Sequence, residues 1–516
     1  MINTTNCLNA FVSTWDSYYY IYGVTSIHYS KKEKLEMELR EPVSPTGQYL
    51  NSSALSLSVY AFLEFEVPID DLPFMPLIKD VFLSINSRFS SIMIADKKGE
   101  KQWKRVEVKI TDHVNVPIFP SGLSPESYDK HLDDYFAKIV MEELPKSRPL
   151  WEIHIIKYPT SSAAGVIIFK LHHALGDGFS LIGALLSCLQ RADNPSLPLT
   201  LPSVQLTSNR NGDCNHKILR SVPKIFSLVS KTVTDFCWSI FKSTLVEDDQ
   251  TPLRSGDVGV EFRPIAIAAM TFSLDRIKQI KANNGATIND VAVGIIFLGM
   301  RLYMQEMSQD SCKAQTTALV LLNTRVFRSY ESVKEMAKPS AKTPWGNRFA
   351  FLHVPIPQLT DAISSNPLEF VSKTQQVMND KKSSLAVFLT GQLLEFLKKF
   401  RGPEAAARYI HTTLKNSTVG ISNLIGPTEK MALANHPVKG LYFTVAGAPQ
   451  WIGLITESLH NNSKLYGKAS GCCGSRKRIR RCPQVEVLHR KCFSDDTYSR
   501  LWNYSSTSKS MTQSAF

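Results

Sequence analysis

Two adjacent histidines open the run His172-His173-Ala174-Leu175-Gly176-Asp177-Gly178. An imidazole near its ordinary pKa can take a proton from a hydroxyl and return it to a leaving group, a role that contributes about 10² to 10⁴ in rate. Successive side chains on a strand point to opposite faces. If the pleat runs to the end of the preceding apolar segment, His172 shares a face with Lys170 and Ile168, and His173 shares one with Leu171 and Phe169. Only one of the two can then face a given cavity, and the other anchors the loop. Asp177 stands three residues before Ser180, at the start of a helical pattern, which is the spacing of an N-cap; Gly176 and Gly178 permit a tight turn around it. A loop-organising role is the plainer reading of Asp177.

The segment Thr287-Ile288-Asn289-Asp290-Val291 reads locally as a helix start, with Thr287 the N-cap, Asn289 and Asp290 in the first helical turn and Asp290 offsetting the helix dipole. The remaining histidines, including His154, His353, His411 and His436, show no metal-ligand spacing and are assigned to structure or surface.

These residues must be held by regular elements. Ala164 to Leu171 is a β-branched run that predicts a strand, and Phe179 to Gln190 has helical spacing, so the histidines lie on a strand-loop-helix turn. Upstream, Val59 to Val67 reads as a strand and Asp71 to Ser87 as a helix. Downstream, Ser273 to Asn283 and Thr287 to about Met304 read as helices, Ala318 to Arg325 and Phe349 to Ile356 as strands, and Leu368 to Lys381 as a helix. Alternation of this kind predicts an α/β fold of two layered units, although no internal repeat is visible. The expected boundaries are a non-domain extension at 1–36, a first subdomain at 37–195, a Pro-, Ser- and Asn-rich crossover at 196–259 and a second subdomain at 260–450. Residues 451–516 are set apart by composition.

The chain has 516 residues, 43% of them hydrophobic, enough for two cores. Its net charge of +13 favours an anionic partner, which admits nucleic acid, acidic lipid and the phosphates of a nucleotide cofactor. Residues 451–516 carry eleven Lys/Arg against four Asp/Glu, so the body is only mildly basic. No segment reads as a secretory signal, and the scattered body cysteines suit a reduced, cytosol-facing protein. No uncharged apolar run reaches the roughly 18 to 20 residues of a spanning helix. Ile225 to Phe241, interrupted by Lys231 and Asp235, reads as an amphipathic helix, either packed or resting on a membrane.

With the complete HHxxxDG heptad in its strand-loop-helix context, the chain resembles the plant-type wax ester synthase/diacylglycerol acyltransferase family. Supporting segments are Glu41-Pro42-Val43-Ser44-Pro45, Arg148-Pro149-Leu150-Trp151-Glu152, Thr287 to Val291, Asn323-Thr324-Arg325, Trp345-Gly346-Asn347, and Asn416 to Pro427 with Ser422-Asn423. The resemblance spans roughly residues 40 to 450. It implies a chloramphenicol-acetyltransferase-like fold, with two related subdomains and the heptad midway along a tunnel between them. It further implies that His173 is the general base, that Asn289 lines the site, where its amide would stabilise the oxyanion, an effect of about 10² to 10³ in rate when one such donor is lost, and that His172, Asp177, Gly178 and Asp290 organise it. Acyl-CoA would be the co-substrate, with no permanently bound cofactor and no metal. The acceptor would be a long-chain alcohol or diacylglycerol. By the same resemblance a membrane surface is a partner and nucleic acid is not, and the location is the cytosolic face of the endoplasmic reticulum membrane or the plasma membrane.

Other readings share parts of the pattern. His172 to Asp177 also fits the HxxxxD spacing of membrane glycerolipid acyltransferases, but their phosphate-binding glycine-threonine-arginine motif is missing. Condensation-type domains that form amides share HHxxxDG. The hydroxycinnamoyl-type acyltransferases carry an Asp-Phe-Gly-Trp-Gly segment that this chain lacks. Residues 451–516, with Arg476-Lys477-Arg478-Ile479-Arg480-Arg481, read as an out-of-frame translation or a basic disordered tail. If the tail is authentic, the strands completing the second subdomain are missing and a sheet edge is exposed, and the alternative to an active enzyme is then a catalytically impaired lipid- or acyl-CoA-binding form.

Overall fold

The computed structural model describes residues 40–69, 74–96, 100–197, 218–254, 265–325, 345–359, 367–425, 429–449, 452–459 and 462–470, with isolated residues between 199 and 259. The extension at 1–36 lies outside the described residues.

Two mixed sheets carry the molecule. The first has seven strands in the order Val114–Asn115, Trp151–Ile156, Gly165–His172, Ser58–Phe65, His436–Ala446, Met431–Leu433, Gln190–Arg191. The second has six, in the order Phe349–Pro355, Thr317–Asn323, Val419–Ile425, Ile452–Leu459, Asn462–Ser470, Ile265–Ser273. Each covers its own apolar core. One gathers Phe65, Phe82, Phe89, Trp151 and Phe169; the other gathers Ile295, Phe297, Met300, Val354 and Phe370. The expected α/β architecture of two subdomains is what the chain forms.

The strand Gly165–His172 is buried along its whole length, as its β-branched run requires of a strand covered on both faces. Its one charged residue, Lys170, is buried too. The Lys170 ammonium donates to the carbonyls of Ile139 (2.8 Å) and Glu142 (2.7 Å) at the end of helix Pro125–Met141, where carbonyls lack intrahelical partners and the dipole is negative. In the second subdomain, helix Ile288–Met307 begins at the N-cap anticipated at Thr287, and Asp290 closes it into a capping box: Asp290 N–H donates to Thr287 Oγ1 and Thr287 N–H to Asp290 Oδ2, both at 3.1 Å. The helix expected at Asp71 to Ser87 is present from Phe74 to Ile85, with a π-helical turn at Ile78–Phe82.

Two sequence-based boundaries are corrected by the sheets. Residues placed at the end of the second subdomain, Met431–Leu433 and His436–Ala446, belong to the first sheet, where Val445 pairs with Val59 and Tyr442 with Phe62. Segment boundaries drawn in sequence order cannot anticipate a strand that returns to the other half. The exit of this strand is tight: Gly447 has φ +89°, and a Cβ there would lie 2.1 Å from the Ser56 carbonyl oxygen. The second correction concerns the segment after Gln450. Ile452–Leu459 and Asn462–Ser470 are strands of the second sheet, and the latter pairs with Ile265–Ser273 over its full length. The completing strands are therefore present. Asn462–Ser470 holds only Leu465, Tyr466 and Ala469 as apolar residues, so the neighbouring Cys- and Arg-rich composition masked its signal. Residues from 471 onward lie outside the described residues.

Candidate active site

Strand Gly165–His172 runs between Ser58–Phe65 and Trp151–Ile156, with His172 paired to Ser58 and Leu171 to Val59 and Trp151. The chain then leaves the sheet: His172 N–H donates to Leu150 O at 3.0 Å, His173 N–H to Leu57 O at 2.8 Å, and Leu175 N–H to His172 O at 3.0 Å. The two imidazoles diverge from there into different surroundings.

His172 is bonded at both ring nitrogens. A backbone N–H can only donate, so the 3.1 Å contact from Ala174 N makes Nδ1 the acceptor. Nε2 then carries the proton and donates to Ser56 Oγ at 3.2 Å. Burial, reinforced by the neighbouring His173, Lys101 and Lys146, pushes the His172 pKa down to about 3. No lone pair of this ring is left for a substrate.

His173 reaches across to the second subdomain. The Asn347 amide nitrogen donates to the His173 carbonyl oxygen at 2.9 Å, and the Asn347 Oδ1 lies 3.0 Å from His173 Nδ1. The carbonyl can only accept, which fixes the amide's orientation and makes Nδ1–H the donor to Oδ1. The lone pair is thereby assigned to Nε2. Burial lowers the His173 pKa, partly offset by its own backbone hydrogen bond, by the Asp177 charge and by the bond to Asn347. The ring packs beside Phe349, with centroids 5.5 Å apart.

Asp177 is buried and fully engaged. One carboxylate oxygen caps helix Gly178–Cys188, accepting from Ser180 N–H at 3.0 Å. The Arg325 guanidinium binds both oxygens, at 2.6 and 3.1 Å, and Arg348 N–H donates to Oδ2 at 2.8 Å. Arg325 also donates to Ser180 Oγ (3.0 Å) and Gly346 O (2.6 Å). From the other side, Trp345 Nε1 donates to Leu175 O at 2.8 Å, and Arg88, paired with Glu41 at 2.7 Å, approaches the same carbonyl at 3.4 Å. Segments remote in sequence, around Glu41, Leu150, Arg325 and Asn347, thus converge on one seven-residue loop.

The other nominated residues are placed differently. Asp290 closes the capping box and meets Lys382 at 3.3 Å on helix Pro367–Lys382, contacts that hold helix ends together. Asn289 is half-buried in the first turn of the same helix. His154 bonds Tyr135 at 2.8 Å, His353 faces Ser239 at 3.1 Å, and His436 bonds Ala434 O at 3.0 Å. The roles of Asn347 and Arg325 are not legible in the sequence: their segments match the family pattern, but an isolated Asn or Arg carries no signal of its partner until the fold brings it 174 or 148 positions back along the chain.

A fold of two α/β subdomains with an HHxxxDG loop clamped at their junction is the architecture of the chloramphenicol-acetyltransferase-like acyl-transfer proteins. The structure resembles a wax ester synthase/diacylglycerol acyltransferase from Marinobacter aquaeolei VT8 (TM-score 0.54, 16% identity, covering 90% of this chain and 99% of that one). It also resembles the condensation domain of the Monacolin K polyketide synthase MokA (TM-score 0.51, 11% identity, 90% and 97% covered). The chain belongs to the wax ester synthase/diacylglycerol acyltransferase family, whose members are acyltransferases: the family's catalytic domain matches residues 95–292 and its C-terminal domain residues 345–465. Arabidopsis thaliana relatives include wax ester synthase/diacylglycerol acyltransferase 4, 28% identical over 85% of this chain and 86% of that protein. Number 7 of the same series is 30% identical over 77% and 86%. The C-terminal match extends to residue 465, beyond the limit near residue 450 expected from the sequence motifs.

Proposed function

We propose that the protein transfers a fatty acyl group from acyl-CoA directly to the hydroxyl of a long-chain alcohol or diacylglycerol, with His173 as general base. The observation that carries this is the bond pair between Asn347 and His173, which leaves Nε2 as the basic atom of a buried, neutral imidazole. Nε2 takes the hydroxyl proton as the oxygen attacks the thioester carbonyl. The tetrahedral intermediate collapses, the carbon–sulfur bond breaks, and His173 returns the proton to the departing CoA thiolate. No covalent acyl-enzyme is formed. His172, bonded at both nitrogens, stiffens the loop. Asn289 is our candidate for stabilising the oxyanion. The two substrates approach through a tunnel between the subdomains, at the cytosolic face of the endoplasmic reticulum membrane or the plasma membrane.

The test supplies labelled palmitoyl-CoA with hexadecanol, with diacylglycerol and with a long-chain amine, to the intact chain and to His173→Ala. Ester formed by the intact chain and reduced by at least a hundredfold in the variant is the expected result. Equal ester formation by both removes His173 as the base. Amide in place of ester moves the protein to the condensation-type reaction.

A further inference from the structure

Helix Ile218–Thr244 is turned inside out relative to a solvated surface helix. Its charged side chains between Phe226 and Thr244 face the protein. Lys242 is buried against Asp248 at 2.7 Å, Asp235 bonds Lys381 at 2.6 Å, and Lys231 lies against Asp380 and Ser383 at 3.3 and 2.9 Å. Thr232, Ser239 and Ser243 fill the same inner side. From Phe226 to Leu245, by contrast, the exposed arc carries no charge. Phe226 (73% exposed), Val229, Val233, Phe241 and Leu245 (73%) form a stripe completed by Cys237 and flanked by Trp238, and between them stand only Ser227, Ser230, Thr234 and Thr244. Large contiguous apolar surface of this kind marks an interaction site, because water is a poor solvent for it.

The pattern also indicates what covers it. The stripe advances by three, then four, four, four and four residues, whereas a seam against a second helix alternates three and four. A drifting stripe suits a continuous apolar phase. Trp238 at its flank is the residue type that favours a membrane–water boundary. The helix packs on Ala386–Arg401, where Thr232 Oγ1 accepts from Leu385 N–H at 3.2 Å. At the far end of that second helix Phe396 and Phe400 are exposed beside Lys399 and Arg401, an aromatic and basic tip. The basic residues at this tip are complementary to an anionic leaflet. Among the described residues no single helix is long and apolar enough to cross a membrane, so contact by the helix is in-plane.

We propose that the exposed face of helix Ile218–Thr244 is the surface by which the protein docks on a lipid bilayer, lying parallel to it with Phe226, Val233, Phe241 and Leu245 in the acyl boundary. This deepens the functional proposal, because it names the surface that meets the phase holding long-chain acceptors, but its geometry does not depend on the chemistry at His173.

Co-sedimentation of the full chain with phosphatidylcholine vesicles, alone and with phosphatidylserine, tests the surface. Val233→Glu combined with Phe241→Glu should weaken vesicle binding at least tenfold. Ile118→Glu, a control at an exposed apolar residue of the other subdomain, should leave it unchanged. Turnover of a water-soluble short-chain alcohol, measured without vesicles, should be equal in all three proteins, which separates docking from catalysis. A milder pair, Phe226→Ser with Leu245→Ser, should weaken binding in the same direction and covers the case in which the glutamates unfold the helix. Undiminished vesicle binding by both pairs, or no binding by the intact chain, overturns the proposal. So does a dimer in light scattering that either pair converts to monomer, since the face would then be covered by a second copy. Absence of turnover in the intact chain with vesicle binding retained would count against the functional proposal alone.

Discussion

Arg325, two residues past strand Thr317–Asn323 of the six-stranded sheet, grips both oxygens of Asp177, the last residue before the helix that leaves the seven-stranded sheet, at 2.6 and 3.1 Å. This fork joins the subdomains at the loop that carries His173. A planar, bidentate pair of this kind fixes orientation as well as distance, which a lysine cannot reproduce. Arg325→Ala should therefore leave a buried carboxylate uncompensated and cost about 3 to 5 kcal/mol of stability. Arg325→Lys should retain more stability than Arg325→Ala and still lose most turnover. Urea unfolding and steady-state kinetics on the two variants check this, and equal turnover by Arg325→Lys and the natural chain would contradict it.

Asn347→Ala should lower kcat by about ten- to a hundredfold, the loss of one or two buried hydrogen bonds of about 1 to 3 kcal/mol, with little change in KM. The imidazole would be free to adopt the tautomer with Nε2 protonated. Asn347→Asp retains the acceptor for Nδ1–H and adds a negative charge, which favours the imidazolium. Since the base must be neutral to work, the acid limb of the kcat/KM profile should move to higher pH in Asn347→Asp. A purely structural role would lower activity at all pH values without moving the limb.

Stability should fall as the solution is acidified below neutrality. The His172 pKa drops from the ordinary 6.5 to about 3 on folding, and that of His353 to about 4. Between those values the unfolded chain binds the protons and the folded chain does not. The stabilising contribution is complete above pH 6.5 and is lost progressively as pH falls toward 4 and 3. His172→Asn, which keeps an acceptor for Ala174 N–H and does not titrate, should flatten part of this dependence. Urea midpoints at pH 7 and pH 5 read it directly.

Gly447→Ala should be more damaging than its size suggests. The position needs φ +89°, and the added methyl would meet the carbonyl of Ser56, whose hydroxyl holds His172. A loss of at least about 2 kcal/mol in stability is expected, with the loop histidines disturbed. An unchanged thermal midpoint would refute the assignment.

The heptad was legible in the sequence because its chemistry is local: a buried strand, a turn and an N-cap are all specified within fourteen residues, Gly165 to Gly178. The N-cap at Thr287 was legible for the same reason. Asn347 and Arg325 were not, since their functions exist only through partners in the other subdomain. The strand His436–Ala446 was mispositioned because alternation specifies a strand but not the sheet it joins. Composition misled at Asn462–Ser470, where backbone pairing outweighs weak side-chain preference.

That returning strand has a consequence for the order in which the molecule can be made. While residues 436–446 are still unsynthesised, the strand Ser58–Phe65 has a neighbour on one side only, and its other edge waits for Gly440 to Ala446. The nascent first half thus emerges from the ribosome with an open slot and an apolar strand beside it, the kind of edge that invites mispairing. Closing it demands contacts between segments at opposite ends of the described chain, a slow step by topology. Once it is closed, the halves are laced together, and neither can swing away from the other without unzipping a central sheet.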